Sequence, residues 1–274
     1  MGEESNNQSD LKQQTSLEDV IPVGEHEEEV SEGGKTVRHK GIYLLPNLFT
    51  LAAMFAGFYS VISAMNGHFE IAAIAIFIAM ILDGLDGRIA RMTNTQSAFG
   101  AEFDSLADMV SFGVAPALVS FTWALSSLGR IGWAVAFIYV AGTAIRLARF
   151  NTQIETADKS YFTGLASPAA AALVAGMVWI CNDYGLVGED LPLVVAILAA
   201  ITTALAGVLM VTNIPYSSFK EIDFKARVPF VTILVVALGF AVITVDPPLI
   251  LLVLFGGYAL SGPVILIMKK AGRK

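Results

Sequence analysis

Apolar segments of about 20 residues, the length that spans a hydrocarbon core of about 30 Å, follow one another along most of the chain. Short polar connections separate them. The pattern predicts an all-α fold, a polytopic transmembrane bundle of eight helices, or of six if the last two segments do not cross. The predicted spans are residues 43–65, 69–91, 98–125, 129–150, 167–184, 191–213, 228–245 and 247–268.

Composition supports a membrane protein. Of the 274 residues, 55% are hydrophobic and 15% are charged, whereas soluble domains carry about 25% charged residues. The single cysteine, Cys181, excludes an intramolecular disulfide and a cysteine-based metal cage.

The beginning of the chain has a different character. Residues 1–34 contain ten acidic residues and one basic residue, which explains most of the formal net charge of −7. Such a segment buries too little apolar surface to offset its chain entropy. We therefore predict an acidic, disordered cytoplasmic tail with a basic collar over residues 1–40 and a transmembrane domain over residues 41–274. The collar consists of Lys35, Arg38, His39 and Lys40. No nucleic-acid partner is expected.

Basic residues collect on one side of the predicted topology. Lysines and arginines lie at the ends of the second, fourth, sixth and eighth spans or directly after them, whereas Arg130 is the one basic residue in the opposite connections. Cytoplasmic segments carry the excess of Lys and Arg. The asymmetry predicts that both termini and the segment Asp83–Asp108 face the cytoplasm.

That segment places four aspartates beside apolar helices, where unpaired charges are unfavourable. Residues three or four positions apart share a helix face. Asp83 and Asp86 therefore share a face of the second span, and Asp104 and Asp108 share one of the third. The short polar link between the two helices predicts an antiparallel hairpin that brings the four carboxylates together.

Converging carboxylates predict a site for divalent cations. Oxygen ligands without His or Cys favour Mg²⁺ or Mn²⁺ over Zn²⁺. Arg91 suits phosphate oxygens, and the small residues leave room for a ligand. Together these features point to phosphoryl chemistry on a diphosphate. The small residues on these faces are Gly87, Ala90 and Gly100.

The alternative is a solvated helix end, with Asp83 or Asp86 paired to the arginines that follow. It leaves Asp104 and Asp108 unpaired inside an apolar helix, which makes it the weaker interpretation.

The spacing of these residues resembles the signature of the CDP-alcohol phosphatidyltransferase family. The resemblance implies that the four aspartates bind two divalent ions and that Asp108 is the base for an acceptor hydroxyl. It also implies that the small residues and Arg91 receive the CDP group. The matching pattern is Asp83-x2-Asp86-Gly87-x2-Ala90-Arg91-x8-Gly100-x3-Asp104-x3-Asp108.

The same resemblance implies transfer of a phosphatidyl group from CDP-diacylglycerol to an alcohol, with release of CMP. We expect direct attack on the β-phosphorus, because no Ser or Cys nucleophile is paired with a base near the motif. Asn47 and Thr50, at the start of the first span, are assigned to the nucleotide by the resemblance. From the residues alone, a polar first turn after Pro46 explains them equally well.

Three further stretches resemble the phosphatidylserine synthase branch of the family and imply L-serine as the acceptor. They are Ser111–Ala117, Arg146–Asn151 and Gly164–Ala171, with Ala166 where that branch usually has proline. In this interpretation Arg146 and Arg149 bind the serine carboxylate or a lipid-side phosphate. The alternative for either arginine is that it only marks a cytoplasmic helix end.

Other functions remain open from the sequence. The same chemistry could use glycerol phosphate or inositol phosphate as the acceptor, or an archaeal-type lipid donor. A divalent-cation or proton-coupled transporter is a different class, since intramembrane carboxylates also mark ion paths. Glycines of the last span fit either packing within the chain or a homodimer. They are Gly256, Gly257 and Gly262.

Overall fold

The computed structural model describes residues 29–32, 35–38, 44–93, 97–153, 161–188, 191–217 and 230–271. The chain divides into two compact units, Met1–Ile42 and Tyr43–Lys274.

The first unit contains an antiparallel hairpin of strands β1 (Glu29–Glu32) and β2 (Lys35–Arg38). The expectation of disorder over the whole tail is therefore wrong for these residues, while residues 1–28, 33–34 and 39–40 lie outside the described residues. The backbone register sets Glu29 opposite Arg38 and Glu32 opposite Lys35.

The second unit is built from helices. The third predicted span is one continuous run: α3 leads through a π-helix, Met109–Val114, into α4, and a 3₁₀ turn, Leu125–Leu128, follows. The α-helices are α1 (Leu44–Met65), α2 (Phe69–Met92), α3 (Ala98–Asp108), α4 (Ala115–Trp123), α5 (Arg130–Gln153), α6 (Ser167–Asp183), α7 (Leu193–Val211), α8 (Phe230–Ile243) and α9 (Pro247–Ala271).

Helices occupy all the predicted spans, but not all of them have the properties of a membrane-crossing helix. Among the described residues, five segments are long and apolar enough to cross a membrane, and they identify a helical membrane protein. The helix α2 carries charged residues within its length, and α6 has 17 residues. The described part of α8 covers 14 residues, and residues 218–229 before it lie outside the described residues. The five segments are Leu45–Met65, Phe99–Trp123, Arg130–Thr152, Leu193–Val211 and Pro247–Met268.

The all-α prediction also missed a second small sheet. Strand β3 (Tyr161–Thr163) pairs antiparallel with β4 (Pro215–Ser217). The pairing satisfies the backbone groups of the two connections that flank α6 and α7. Gly164 follows with a φ of 83°, and a Cβ there would come within 2.4 Å of the Met210 carbonyl oxygen. The connection is thus held tightly against the end of α7.

Small residues let the helices approach one another closely. On α6, the alanines from Ala169 to Ala172 are all buried. Where α5 crosses α7, a Cβ on Gly142 would lie 2.3 Å from the carbonyl oxygen of Gly207. Such contacts are typical of helix packing in membranes. The helix α6 in turn packs against α2, which carries Asp83 and Asp86.

The glycines of α9 serve mainly contacts within the chain. A Cβ on Gly262 would lie 2.4 Å from the Tyr216 ring, and one on Gly256 would lie 3.7 Å from Leu173. Gly257 has no heavy atom within 4 Å of that position. Among these three glycines, Gly257 has the open surface within the described residues.

Candidate active site

Three of the four predicted aspartates converge where α2 and α3 face each other. Oxygen atoms from Asp83, Asp104 and Asp108 lie within 4.8 Å of one another. The carboxyl groups of Asp83 and Asp108 are thus direct neighbours. Negative charges at this separation repel strongly in a site shielded from water. A bound cation would therefore stabilise this arrangement of carboxylates.

Asp104 supplies a direct test of whether a cation fits. Its Oδ1 atom is buried and has no hydrogen-bond partner among the described residues. A buried acceptor without a partner costs on the order of 1–3 kcal/mol. All the available ligand atoms are carboxylate oxygens, which Mg²⁺ and Mn²⁺ prefer. The residues present thus fit a hard divalent cation.

Asp86 lies outside this trio. Its Oδ2 atom accepts a hydrogen bond of 2.6 Å from the Thr50 hydroxyl, and both side chains are buried. The helix α1 therefore orients Asp86 towards a neighbouring cavity, which Asp86 lines together with Asp104. Asp104 is accordingly the residue shared by the trio and the cavity.

The cavity collects every residue that the sequence assigned to the nucleotide. Its volume is about 530 Å³. A Cβ on Gly87 would meet no heavy atom within 4 Å, whereas one on Gly100 would lie 3.0 Å from Ser97 Oγ. Open space above Gly87 lets a ligand approach the backbone of α2. The predicted residues in the lining are Asn47, Thr50, Gly87, Ala90, Arg91 and Gly100.

Sequence reasoning missed four other lining residues: Pro46, Ser97, Ala101 and Phe150. Ser97 accepts a hydrogen bond of 2.8 Å from the Gly100 N–H and so caps α3. A serine directly before a helix is a recognisable start signal. Phe150 had no such signal, because an aromatic residue at a helix end is also common at a membrane interface.

The end of α5 is tied to the helix that carries Asp104. Asn151 Nδ2 donates to Ser105 Oγ at 3.0 Å, and Ser105 Oγ lies 3.2 Å from Asn151 Oδ1. Ser105 directly follows Asp104, and Asn151 directly follows Phe150. The bond between Ser105 and Asn151 therefore keeps Phe150 and Asp104 together in the cavity lining. Neither Ser105 nor Asn151 was singled out from the sequence as a side chain of the site.

The two arginines of α5 occupy different surroundings. Arg146 donates to Ser167 Oγ at 2.7 Å and interacts electrostatically with Asp83 and Asp108. Arg149 donates to the carbonyl oxygens of Thr163 at 2.7 Å and of Val211 at 3.2 Å, and to Asn213 Oδ1 at 3.0 Å. Arg146 thus belongs to the aspartate site, whereas the contacts of Arg149 join α5 to the connections around β3 and β4.

Known proteins are similar in sequence to this chain. Residues 43–212 match the CDP-alcohol phosphatidyltransferase family. A CDP-diacylglycerol–serine O-phosphatidyltransferase of Helicobacter pylori is 42% identical over 222 residues, which cover 81% of this chain and 90% of that protein. Proteins of the same name from Mycobacterium bovis and Saccharomyces cerevisiae are 32% and 36% identical. They cover 82% and 54% of this chain, and 79% and 58% of their own lengths.

Proposed function

The chain belongs to the CDP-alcohol phosphatidyltransferase family, and we propose that it transfers the phosphatidyl group of CDP-diacylglycerol to the hydroxyl of L-serine. CMP is the second product. The observation that carries the proposal is the trio of carboxylates beside a cavity lined by all the predicted nucleotide residues. The names of the related proteins support serine as the acceptor.

The cavity fits the CDP group. Its lining provides Arg91 for a phosphate oxygen and open backbone at Gly87. In this arrangement Asn47 and Thr50 lie on the opposite wall, on α1. The diphosphate then extends towards Asp104, where the cavity meets the carboxylate trio.

The aspartates would hold two divalent ions, Mg²⁺ or Mn²⁺, with Asp83, Asp104 and Asp108 as one ligand group and Asp86 beside it. When bound, such ions neutralise the diphosphate charge and stabilise the leaving CMP. The orphaned Oδ1 of Asp104 supports this assignment.

Asp108 is the proposed base. Asp86 and Asp104 line the nucleotide cavity, whereas Asp108 lies one turn further along α3 and interacts with Arg146. A carboxylate oxygen of Asp108 accepts the proton of the serine hydroxyl as the hydroxyl oxygen attacks the β-phosphorus. The new O–P bond replaces the bond from phosphorus to the bridging oxygen, which leaves with CMP.

Arg146 is the proposed ligand of the serine carboxylate. Ser167 engages one terminal nitrogen of its guanidinium, and within the described residues no other hydrogen bond reaches this group. A guanidinium beside Asp108 would bring the anionic end of serine close to the base. Arg149 was predicted to act in the same way, but its contacts with Thr163, Val211 and Asn213 favour a structural role.

The site is proposed to face the cytoplasm, in a bundle of eight spans with both termini on that side. The C-terminal ends of α2 and α5 and the N-terminal ends of α1 and α3 all contribute to the cavity, as the predicted alternation requires. Arg91 and Arg149 lie at this end, in agreement with the positive-inside rule. The test introduces single cysteines at the two ends of the bundle in a Cys181→Ala background and labels them from outside the cell. Labelling at the Arg91 end would show that the site faces outwards and would refute the proposed orientation.

A homodimer would place Gly257 of α9 at the contact, because its surface is open. Cross-linking of a Gly257→Cys variant tests this, and a chain that stays monomeric in membranes excludes the contact.

The decisive experiment incubates the purified protein with CDP-diacylglycerol, Mn²⁺ or Mg²⁺, and L-serine, glycerol 3-phosphate or inositol phosphate, and measures CMP release. We expect release with L-serine and phosphatidylserine as the lipid product. Release only with a polyol phosphate would refute the serine assignment. No release with any acceptor, together with metal uptake into vesicles containing the protein, would favour the transporter alternative.

A further inference from the structure

The helix that carries Asp104 and Asp108 changes its winding directly after Asp108. Residues Met109–Val114 form a π-helix, and the Ala115 N–H bonds to the Val110 carbonyl, five residues back. A π-helical turn is rare and is frequently found at functional sites. Here it separates the aspartate-bearing turns from the buried helix α4.

Pro116 explains why the winding changes at this point. A proline has no N–H, and its ring collides with the carbonyl four residues earlier in an α-helix. That carbonyl belongs to Phe112. The hydroxyl of Tyr139, on α5, donates to the Phe112 oxygen at 3.1 Å. Both Tyr139 and Phe112 are fully buried, so water cannot replace this donor.

A second contact joins the π-helix to another helix, α1. Ser111 Oγ donates to the Ala53 carbonyl of α1 at 3.0 Å. A Cβ on Gly57 would lie 2.6 Å from the Ser111 Cα, so the backbones of α1 and the π-helix touch. The π-helix is therefore clamped between α1, which carries Thr50, and α5, which carries Arg146.

We propose that Tyr139 is a positioning residue of the active site. By bonding to the Phe112 carbonyl, it sets the rotation of the helix end and hence the place of the Asp108 carboxylate relative to Asp83 and Arg146. Tyr139 and Arg146 are seven residues apart on α5, about two turns. The helix that holds the π-helix thus also holds the guanidinium that faces Asp108. This inference rests on the proposed function of the site, but its effect on metal binding does not depend on the acceptor.

The test compares two tyrosines that make the same kind of bond. Tyr139→Phe removes the hydroxyl from the π-helix, and Tyr216→Phe removes a buried hydroxyl that donates to the Ala259 carbonyl at 3.0 Å. We expect both variants to lose similar thermal stability. Only Tyr139→Phe should lower kcat by about tenfold while KM for CDP-diacylglycerol stays within about twofold.

The second readout is Mn²⁺ binding, measured by the rise in melting temperature with metal concentration. Tyr139→Phe should need several-fold more Mn²⁺ for half of the effect, and Tyr216→Phe should match the wild type. Equal kcat and equal Mn²⁺ response in the two variants would overturn the proposal.

If Tyr139→Phe does not fold, Ser111→Ala takes its place and should give the same pattern. A normal kcat and Mn²⁺ response in that variant would also overturn the proposal. A wild-type protein without CMP release but with the expected Mn²⁺ differences would refute the proposed function and leave the positioning role standing.

Discussion

The Thr50 hydroxyl donates to Asp86 Oδ2 at 2.6 Å, and this bond joins the first helix of the bundle to the aspartate signature on the second. The same hydroxyl lies 3.2 Å from the Pro46 carbonyl, but its single proton serves the shorter contact. The bond holds Asp86 at the wall of the cavity that Asp104 also lines. It therefore links the cavity wall on α2 to the position of α1.

Replacing Thr50 with valine, which keeps the shape, should weaken nucleotide binding. A buried hydrogen bond to a charged group contributes about 1.5–3 kcal/mol, so we expect KM for CDP-diacylglycerol to rise about tenfold or more. Thr122→Val is the control, because within the described part of the chain the Thr122 hydroxyl bonds only to carbonyls of its own helix. If Thr50→Val had the same KM for CDP-diacylglycerol as Thr122→Val, the hydrogen bond from Thr50 to Asp86 would have no role in nucleotide binding.

Asp108→Asn should abolish turnover and leave nucleotide binding largely intact. An amide cannot accept the serine proton, whereas the cavity lining includes Asp104 and not Asp108. Glu102→Gln is the matched control on the same helix, because Glu102 is exposed and lies off the aspartate face. The measurements are CMP release and the dissociation constant of CMP. Near-normal turnover in Asp108→Asn would assign the base to another group.

Much of the site followed from spacing alone. Helical periodicity predicted that Asp104 and Asp108 lie on one face of α3. The polar link after α2 predicted that Asp83 lies close to them, and the three carboxylates do converge. The place of Asp86 did not follow, because it depends on a hydroxyl from another helix. The π-helix was likewise not predicted, although Pro116 was visible in the sequence. Its consequence depends on Tyr139, a residue on α5 that only tertiary packing brings to Phe112.

The fold shows the same division between local and tertiary information. Apolar length predicted the helices, since a run of about 20 apolar residues is a local property. The pairing of β3 with β4 joins residues about 50 positions apart, which no local pattern identifies. Arg149 illustrates the consequence. A positive residue at a helix end was ambiguous in the sequence, and its contacts with the Thr163 and Val211 carbonyls became visible only in the structure.

The two arginines of α5 should separate stability from acceptor binding. Arg149→Gln removes bonds to Thr163, Val211 and Asn213, so we expect a lower melting temperature and little change in KM for L-serine. Arg146→Gln should raise KM for L-serine by about tenfold, because a charged hydrogen bond contributes about 1.5–3 kcal/mol. KM for CDP-diacylglycerol should stay within about twofold. Each variant is the control for the other. If KM for L-serine rose only in Arg149→Gln, Arg149 would be the acceptor ligand and Arg146 the structural residue.

Phe150 is the aromatic side chain among the described residues of the cavity lining, and we expect it to stack on the cytosine ring. Stacking of a base on an aromatic side chain contributes about 1–3 kcal/mol. Phe150→Leu keeps an apolar side chain but removes the ring, so the dissociation constant of CMP should rise about tenfold. Phe150→Tyr should bind CMP like the wild type.

The control for this prediction is Phe137→Leu. Phe137 lies on the same helix, is 62% exposed, and does not line the cavity. Its replacement should leave CMP binding unchanged. Equal CMP affinity in Phe150→Leu and Phe137→Leu would mean that Phe150 faces lipid in the working enzyme. In that case the role of the Asn151–Ser105 pair would be to position Arg146, and not Phe150.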